Sequence, residues 1–552
     1  MKKKYNRFLS TTAAAFVVSG MLNIAAAQPD AVSSVASFDE SLLNWYNKDA
    51  SQDKIHGVGV NRAYNELLQN RKPKKTVVVA VIDSGIDIKH TELQGKIWTN
   101  PNEIPGNGID DDNNGYVDDI HGWGFLGNSN GENVQYETYE YVRILRELTP
   151  KYRSIKSIKE VPAHEQAEYK TYLQCRDAFV KEYTEQQKTK ANLENFEQYL
   201  NRCEAILAHH LGKEEVTLED IKGITSRDPQ VLSARKWLLG RYDMGFTKED
   251  LQKAKKMNNL YLEEHLNLKR NHRTILADNP QDLNDRNYGN NDVTGPRADH
   301  GTPVAGIIGG VRNNNVGIDG IAEDIRIMAL RAVPNGDEYD KDIALAIRYA
   351  VDNGANIINM SFGKAFSPQK KFVDEAVKYA EEKNVLLVHA AGNDAKNVDQ
   401  EAFYPNRKLS DGTSVKNWLE VGAVSRLADK TFCAVFSNYG KESVDLFAPG
   451  VDIVALSPDN QYGQMDGTSF AGPVVSGVAA LVWSHYPELT AVELKEILLH
   501  SCTTYPRLKV YYPNSEDTKS KKKTKFSNLS RTGGVVNAYE ALKLAEKKAR
   551  ES

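Results

Sequence analysis

Residues 76–82 read TVVVAVI, and this run of apolar, mostly β-branched side chains ends abruptly at Asp83-Ser84-Gly85. The run shows no alternation between polar and apolar residues. Such a pattern is typical of a strand that is buried on both faces, as in a parallel sheet covered by helices. The turn residues that follow predict that the strand ends at Asp83.

The same pattern recurs further along the chain. Apolar runs lead into small or polar residues at 357–361 (IINMS) and at 385–393 (VLLVHAAGN). Helix-like stretches lie between the predicted strands, for example at 341–353 and 372–383. Because strands and helices alternate, the sequence predicts an α/β fold with a largely parallel central sheet.

The middle of the chain has a different character. From about residue 132 to 286 it is charged, rich in tyrosine and helical in period. One apolar helix face is marked by residues spaced alternately three and four apart: Leu193, Phe196, Leu200, Cys203 and Leu207. We expect an all-helical insertion at 131–289. It would divide the α/β domain into parts at 76–130 and 290–552, the second of which ends in a C-terminal helix.

The composition is that of a soluble globular protein. The chain has 552 residues, of which 40% are hydrophobic and 26% are charged, with a formal net charge of −4. Because there is no strongly basic balance, we expect no nucleic-acid partner. Four cysteines, Cys175, Cys203, Cys433 and Cys502, form no Cys-x-x-Cys metal motif. Four thiols allow three full pairings, and the sequence does not decide whether any are bridged.

Residues 1–27 have the three parts of an export signal. Positive residues at 2–7 precede an apolar stretch at 13–18, and alanines at 25–27 offer a cleavage site. The apolar stretch is too short and interrupted for a membrane anchor, and no later run is long enough to span a bilayer. We expect an exported protein, periplasmic or secreted, without a membrane span after signal removal. Residues 28–75 would form a lead-in segment packed on the α/β domain.

Three short motifs each carry a chemically useful side chain. Asp83 closes the first strand, where a carboxylate is well placed to orient a histidine. His300 opens HGTPVAGIIG, a stretch of small and apolar residues that predicts a helix. Ser469 lies in DGTSFAGP, where it would begin another helix. Taken singly, the three have ordinary explanations as a turn, a helix cap and an N-cap.

Taken together, the motifs resemble those of the subtilisin-like serine proteases, the subtilases, in that family's order of Asp, His and Ser. Ala390-Ala391-Gly392-Asn393 resembles the family's oxyanion-hole segment. The resemblance covers about 76–130 and 290–545. It implies a subtilisin-like three-layer fold and a serine endopeptidase that hydrolyses peptide bonds through an acyl-enzyme intermediate. The separation of Asp83 from His300 is far longer than in a minimal family member, and the helical insertion accounts for it.

The resemblance implies a catalytic role for each matching residue. A serine hydroxyl is a poor nucleophile near neutral pH, so Ser469 needs a base within hydrogen-bond reach. His300 would take that proton, and Asp83 would hold the imidazole in the correct tautomer. The side-chain amide of Asn393 and the backbone N–H of Ser469 would stabilise the oxyanion of the tetrahedral intermediate. No cofactor is expected for the chemistry.

The resemblance also points to the residues that bind substrate, which we expect to be a protein or peptide. Ser361-Phe362-Gly363 would pair with the backbone of an extended peptide, as an added strand pairs with a sheet edge. Ala391 and Gly392 would line the first specificity pocket. Their small size predicts a roomy, apolar-tolerant site, with tight strand packing as the alternative interpretation.

A possible structural calcium site lies at 110–118 (DDDNNGYVD), which resembles an EF-hand loop. The predicted oxygen ligands are Asp110, Asp112, Asn114, the Tyr116 carbonyl and Asp118. His121 stands where an EF-hand loop has its final Glu, and an Asx-rich surface turn is the alternative. A second candidate is the loop at 313–318 (NNNVGI), which Glu92 would help to complete.

Two other functions fit the same residues. A catalytically silent subtilase-like binding scaffold would keep the fold without the chemistry. An acyl-transfer enzyme of the transpeptidase type would use the same triad and pass the acyl group to an amine. The helical insertion enters the chain beside the active-site loops. We expect it to dock a partner or gate the site, with a solubilising or stabilising appendage as the alternative.

Overall fold

The computed structural model describes residues 33–514 and 522–551. The strands in those ranges are β1 (Val77–Asp83), β2 (Gly122–Gly124), β3 (Ile325–Arg331), β4 (Ile357–Met360), β5 (Leu386–Ala390), β6 (Trp418–Val424), β7 (Leu446–Pro449), β8 (Ile453–Ser457), β9 (Gln461–Met465), β10 (Thr503–Thr504), β11 (Lys509–Tyr511), β12 (Lys523–Lys525) and β13 (Gly534–Val535). The α-helices are α1 (Ala50–Asp53), α2 (Val60–Glu66), α3 (Glu140–Tyr152), α4 (Gln166–Leu211), α5 (Leu218–Gly223), α6 (Pro229–Tyr242), α7 (Lys248–Leu260), α8 (Gly301–Gly309), α9 (Asp340–Asp352), α10 (Lys370–Glu382), α11 (Thr468–His485), α12 (Ala491–His500) and α13 (Ala538–Glu551).

A nine-stranded sheet forms the centre of the larger of two compact units, which comprises Gln28–Glu140 and Asn271–Ser552. Its strand order among the described residues is β10-β13-β7-β6-β5-β4-β1-β3-β2. Neighbouring strands are parallel except β10 and β13. The first predicted strand, β1, lies inside the sheet between β3 and β4. The prediction of a largely parallel sheet is confirmed.

Helices cover both faces of this sheet, so β1 is buried on both sides. Val77, Val79 and Val81 belong to one hydrophobic cluster, together with side chains from α8, α11 and α12. The intervening Ala80 and Ile82 belong to a second cluster, with side chains from α9 and α10. Successive side chains of a strand point to opposite faces, which explains this division. The result is the predicted three-layer α/β fold.

The lead-in segment is anchored in the larger unit by two aromatic side chains. Trp45 and Tyr46 are both 0% exposed and belong to the first cluster. The indole N–H of Trp45 donates to the Asp452 carbonyl at 3.0 Å. The hydroxyl of Tyr46 donates to the Asp319 carbonyl at 2.8 Å. The expectation that this segment packs on the α/β domain is therefore confirmed for its described residues.

The smaller compact unit, Tyr141–Arg270, is helical and has its own core. The predicted apolar face of α4 is buried there, and Val231, Leu238 and Phe246 pack in the same cluster. This unit is shorter than the predicted 131–289 because the flanking segments belong to the larger unit. On one flank Asn133 bonds to Asp292 at 2.9 Å. On the other, buried Arg273 pairs with Asp342 at 2.7 Å.

The predicted export signal, residues 1–27, lies outside the described residues. Among the helices of 33–514 and 522–551, none is long and apolar enough to cross a bilayer. Cys433 is a buried thiol in the larger unit, and Cys203 is a buried thiol in the helical unit.

Candidate active site

Asp83 and His300 are in direct contact, although they lie far apart in the sequence. Asp83 ends β1, and His300 immediately precedes α8. The Nδ1 atom of His300 lies 2.7 Å from Oδ1 of Asp83, and the backbone N–H of Ser84 donates to the same oxygen at 2.7 Å. The side chain of Asp83 is only 2% exposed, whereas that of His300 is 25% exposed. The carboxylate is therefore shielded from water, while the imidazole reaches the surface.

Gly301 permits this close approach. A Cβ atom at position 301 would lie 2.2 Å from the Gly85 carbonyl oxygen and 3.2 Å from the Cβ of Asp83. Any side chain at Gly301 would therefore push the start of α8 away from the end of β1. The glycine after His300 is a packing requirement of the Asp–His pair.

Ser469 lies in the first turn of α11, beside the Asp–His pair. Its hydroxyl donates to the Ser361 carbonyl at 3.1 Å, and the Ser361 hydroxyl donates to the Ser469 carbonyl at 2.8 Å. Among the described residues, no hydrogen bond joins Ser469 to His300. The ring of Phe470, the next residue, lies 5.7 Å from the His300 ring, centroid to centroid. Catalytic hydrogen bonds are often long or misaligned without substrate, so this geometry is compatible with a Ser–His relay.

Asn393 joins the same site through Thr468. Its side-chain oxygen accepts from the Thr468 backbone N–H and from the Thr468 hydroxyl, both at 2.9 Å. The Thr468 hydroxyl oxygen in turn accepts from the Gly392 backbone N–H at 3.1 Å. These bonds commit the amide oxygen of Asn393. The amide nitrogen has no hydrogen-bond partner among the described residues, and it would lie 3.6 Å from a Cβ atom built on Gly467.

The pKa of the His300 imidazole is raised above its ordinary value of 6.5. Burial alone would lower this pKa, but the charge of Asp83 and the hydrogen bond to it raise it by more. The nearby Arg297 guanidinium opposes the rise. Asp83 therefore stabilises the protonated imidazole, the form that exists after a proton has been taken from a nucleophile.

A buried polar network behind the site was not predicted from the sequence. His389 is 0% exposed, with Nδ1 at 2.9 Å from Glu420 Oε1 and Nε2 at 2.8 Å from the Phe362 carbonyl. The other Glu420 oxygen accepts from the Trp418 indole at 2.8 Å. A carboxylate and a carbonyl are both acceptors, and a neutral imidazole has one donor. Each ring nitrogen of His389 thus faces one oxygen acceptor.

This network orients a predicted substrate-binding segment. Because the Phe362 carbonyl points inward to His389, the N–H of Gly363 in the same planar peptide points the opposite way. That N–H has no hydrogen-bond partner among the described residues. The only sequence signal for this arrangement is a histidine inside the otherwise apolar run 385–391.

The ring of Phe403 lies against two of the predicted substrate-binding residues. The backbone of Gly363 and that of Gly392 are both close to the ring of Phe403. The space beside Gly392, one of the two small residues predicted to line the first specificity pocket, is therefore occupied by an aromatic ring from another segment.

The acidic loop brings three carboxylates together. One oxygen each of Glu103, Asp112 and Asp119 lies within 4.8 Å of the other two. Glu103 is 7% exposed, and its Oε2 has no hydrogen-bond partner among the described residues. Burial raises the pKa of Glu103 and of Asp119, and in each case a neighbouring carboxylate raises it further. Three carboxylate oxygens this close together are the hard ligands that suit a divalent cation such as calcium.

This cluster is not the predicted ligand set, which was Asp110, Asp112, Asn114, Tyr116 and Asp118. Only Asp112 belongs to both. Asp118 accepts backbone N–H bonds from residues 106–108 at 2.7 to 3.2 Å. Asp110 accepts from the Gly115 N–H at 2.8 Å. The two aspartates therefore accept local backbone bonds, and the EF-hand ligand set stays a prediction.

The second predicted calcium loop is held by protein donors. Glu92 is 1% exposed. Its carboxylate accepts from the Ile318 backbone N–H at 3.0 Å and from the Tyr462 hydroxyl. Burial raises the pKa of Glu92 to about 7. The carboxylate that this calcium site would need is thus already engaged within the fold.

Comparison with known proteins identifies the family. The family model of the subtilases matches residues 74–533. The chain belongs to the subtilase family. The match includes the Asp83, His300, Asn393 and Ser469 segments described above.

Curated relatives in this family carry names of proteases. A thermophilic serine proteinase of Bacillus sp. (strain AK1) is 44% identical over 186 residues, or 34% of this chain and 42% of that protein. A cell wall-associated protease of Bacillus subtilis (strain 168) is 37% identical over 200 residues, or 36% of this chain and 20% of that protein. The chain thus spans less than half the length of either subtilase relative.

A similar solved structure is that of proteases from Pseudoalteromonas arctica PAMC 21717. It is 25% identical and covers 49% of this chain and 82% of its own, with a TM-score of 0.38.

Proposed function

We propose that this subtilase is a serine endopeptidase that hydrolyses peptide bonds through an acyl-enzyme intermediate. The observation that carries the proposal is the convergence of Asp83, His300, Asn393 and Ser469 at one edge of the sheet. Asp83 and His300 are hydrogen-bonded at 2.7 Å, and Asn393 is fixed to the residue before Ser469. The protease names of the relatives support the same activity.

In this mechanism Ser469 attacks the scissile carbonyl while His300 takes its proton. Asp83 stabilises the imidazolium that results. The developing oxyanion accepts hydrogen bonds from the amide of Asn393 and the backbone N–H of Ser469. The imidazolium then protonates the leaving amine, and water cleaves the acyl-enzyme by the same steps in reverse order. The hydroxyl of Ser469 has to leave the Ser361 carbonyl before attack.

Degradation of an unfolded protein tests this function. The parent should degrade reduced, unfolded casein, and Ser469→Ala should not. Ser484→Ala is the matched control because Ser484 lies on the same helix, is 2% exposed and its hydroxyl donates locally to the Leu481 carbonyl at 2.8 Å. If the folded parent and Ser484→Ala cleave no protein or peptide, the silent-scaffold alternative is favoured.

An added amine separates hydrolysis from acyl transfer, since both reactions use the same triad. Mass spectrometry of peptide products should show mainly free carboxylates even in the presence of an amine acceptor. Products joined predominantly to the amine would instead establish a transpeptidase-type enzyme.

We further propose that Glu103, Asp112 and Asp119 hold a structural calcium ion that takes no part in the chemistry. The proposal rests on the three convergent carboxylates and the unpaired buried oxygen of Glu103. A bound ion would stabilise the fold by about 2.7 kcal/mol when calcium is present at roughly 100 times its Kd.

The calcium proposal is tested by thermal unfolding with calcium and with a chelator. The Tm of the parent should fall in the chelator, and Glu103→Gln should abolish most of that difference. Asp110→Asn, which removes a carboxylate from the same loop but outside the cluster, should retain it. A Tm of the parent that does not respond to calcium would refute the site, and calorimetric titration gives its stoichiometry.

We also propose that residues 1–27 direct export and that the protease acts on proteins in the periplasm or outside the cell. The n-region, apolar stretch and alanines of the sequence support this placement, as does the relative that is named a cell wall-associated protease. Detection of a mature N-terminus near Gln28 in an exported fraction is the direct test.

A further inference from the structure

The ring of Phe403 lies between two glycines: Gly363 of the predicted backbone-pairing segment and Gly392 of the predicted first specificity pocket. A Cβ atom built on Gly363 would lie 2.4 Å from Cε1 and 2.5 Å from Cζ of Phe403. A Cβ atom built on Gly392 would lie 2.9 Å from Cζ and 3.1 Å from Cε1 of the same ring. One ring edge therefore lies against both glycines and fills the space between them.

The segment that carries Phe403 is held firmly against the substrate-binding segment. The next residue, Tyr404, forms an antiparallel bridge with Lys364, whose two backbone hydrogen bonds both measure 2.9 Å. The side-chain amide of Asn406 donates to the Phe403 carbonyl at 2.8 Å. These bonds fix the backbone on which the ring is mounted, so the ring cannot leave with its whole loop unless the bridge breaks.

The ring also has a rigid neighbour. Its centroid lies 5.9 Å from that of His389, which is fully buried and bonded to both Glu420 and Phe362. Phe403 itself is partly exposed, as expected for a side chain that faces a substrate. The ring is thus placed between the buried His389 network and the position of the substrate.

We propose that Phe403 is a specificity-determining residue that closes the first pocket to large side chains. The enzyme then prefers peptides with a small residue, such as glycine, alanine or serine, immediately before the cleaved bond. This inference rests on the proposed endopeptidase function. It replaces the roomy pocket expected from Ala391 and Gly392 alone, because the space beside the small residues is filled from a segment further along the chain.

The preference follows from the packing of protein interiors. An aromatic substrate side chain and the Phe403 ring would compete for the same volume, and close-packed sites do not absorb extra atoms without displacement. A mismatch of a single methylene in such a pocket changes kcat/KM by about 10–200-fold. A benzyl group is much larger than one methylene, so discrimination of alanine over phenylalanine should be at least tenfold.

The test compares chromogenic tetrapeptides that differ only in the residue before the cleaved bond, namely alanine, leucine or phenylalanine. For the parent, kcat/KM should be highest with alanine and at least tenfold lower with phenylalanine. Phe403→Ala should shift the phenylalanine-to-alanine ratio upward by at least tenfold. Phe403→Tyr keeps the ring and should keep the preference for alanine. Phe403→Leu, which fills less of the gap, should give an intermediate ratio and also covers the case in which Phe403→Ala does not fold.

Two outcomes would overturn the inference. One is a parent that cleaves the phenylalanine and alanine peptides equally well. The other is a ratio unchanged in both Phe403→Ala and Phe403→Leu while Ser469 still reacts with a fluorophosphonate. Fluorophosphonate labelling separates the specificity proposed for Phe403 from the proposed peptidase function. If the parent is not labelled and cleaves no peptide, the peptidase function itself is refuted.

Discussion

At the residue scale, the proposed role of Asn393 in stabilising the oxyanion can be tested separately from the nucleophile Ser469. Asn393→Ala removes the amide donor proposed for the oxyanion, and its loss should lower kcat by about 10²–10³ with little change in KM, as is known for subtilisin of the same family. The measurement is steady-state kinetics on a small peptide amide. A large rise in KM at unchanged kcat would instead place Asn393 in ground-state binding.

The protonation of His300 sets a second expectation. A general base works in its neutral form, which is lost as the pH falls through the pKa. Because Asp83 raises that pKa, the acid limb of kcat/KM should have its midpoint above pH 6.5. In Asp83→Asn, where burial acts without the opposing charge, the midpoint of the residual activity should move down. In Arg297→Gln it should move up. If neither substitution moves the midpoint, the group that titrates in the acid limb is not His300.

The predictability of single residues depended on whether they carry a local pattern. Asp83, His300 and Ser469 each end or begin an element within a recognisable motif, so the sequence located them. Phe403 and His389 reach the site through tertiary packing, with no spacing rule to reveal them. The carboxylate cluster of Glu103, Asp112 and Asp119 was not found from the sequence for a related reason. Glu103 and Asp119 lie outside the periodic positions that the EF-hand comparison selects.

At the scale of elements, the strand β5 and the segment after β4 are coupled by His389. His389→Leu would remove the partner of the Phe362 carbonyl and of the Glu420 Oε1 atom, at a cost in stability of about 1–3 kcal/mol. The peptide bond between Phe362 and Gly363 would also be held less firmly, so the N–H of Gly363 should bind an extended substrate less well. The fold-increase in KM for extended peptides should therefore exceed the fold-decrease in the rate at which a fluorophosphonate labels Ser469.

Two conservative variants separate positioning from simple packing. Gln can place a donor near the position of the imidazole Nε2, whereas Asn can place one near Nδ1. His389→Gln should therefore restore much of the KM for extended peptides, and His389→Asn should not. Equal kinetics for His389→Gln, His389→Asn and His389→Leu would assign His389 a merely structural role.

The elements themselves were largely predictable. The unbroken apolar run 76–82 could pack only as a central strand, and the alternation of strands with helices implied parallel pairing. The limits of the helical insertion were less accessible. Residues 131–140 and 271–289 look polar in sequence, yet contacts such as Arg273 with Asp342 bind them to the larger unit.

At the scale of the whole molecule, the two compact units have separate hydrophobic cores. Chains with more than one such core commonly unfold in more than one step. Calorimetry should therefore show two transitions. Leu238 is 0% exposed in the helical unit, so Leu238→Ala should lower the stability of that unit by about 2–5 kcal/mol. It should lower the midpoint temperature of only one transition. Leu494 is also 0% exposed but lies in the larger unit, so Leu494→Ala should lower the midpoint temperature of the other transition. A single transition shifted equally by both would show one cooperative unit.

The role of the helical unit stays a prediction at this scale. A lid, an exosite, a docking surface and a stabilising appendage each fit an insertion between the Asp83 and His300 segments. None of these roles supplies a residue of the proposed triad, because every proposed catalytic residue lies in the larger unit.

The most direct test of the proposed peptidase is reaction of the folded protein with a fluorophosphonate, followed by mass spectrometry of the labelled peptide. The predicted result is a single adduct on Ser469 in the parent and in Ser484→Ala, none in Ser469→Ala, and much slower labelling in His300→Ala. A folded parent that takes no label, or an adduct on any residue other than Ser469, would contradict the assignment of Asp83, His300 and Ser469 as the catalytic triad.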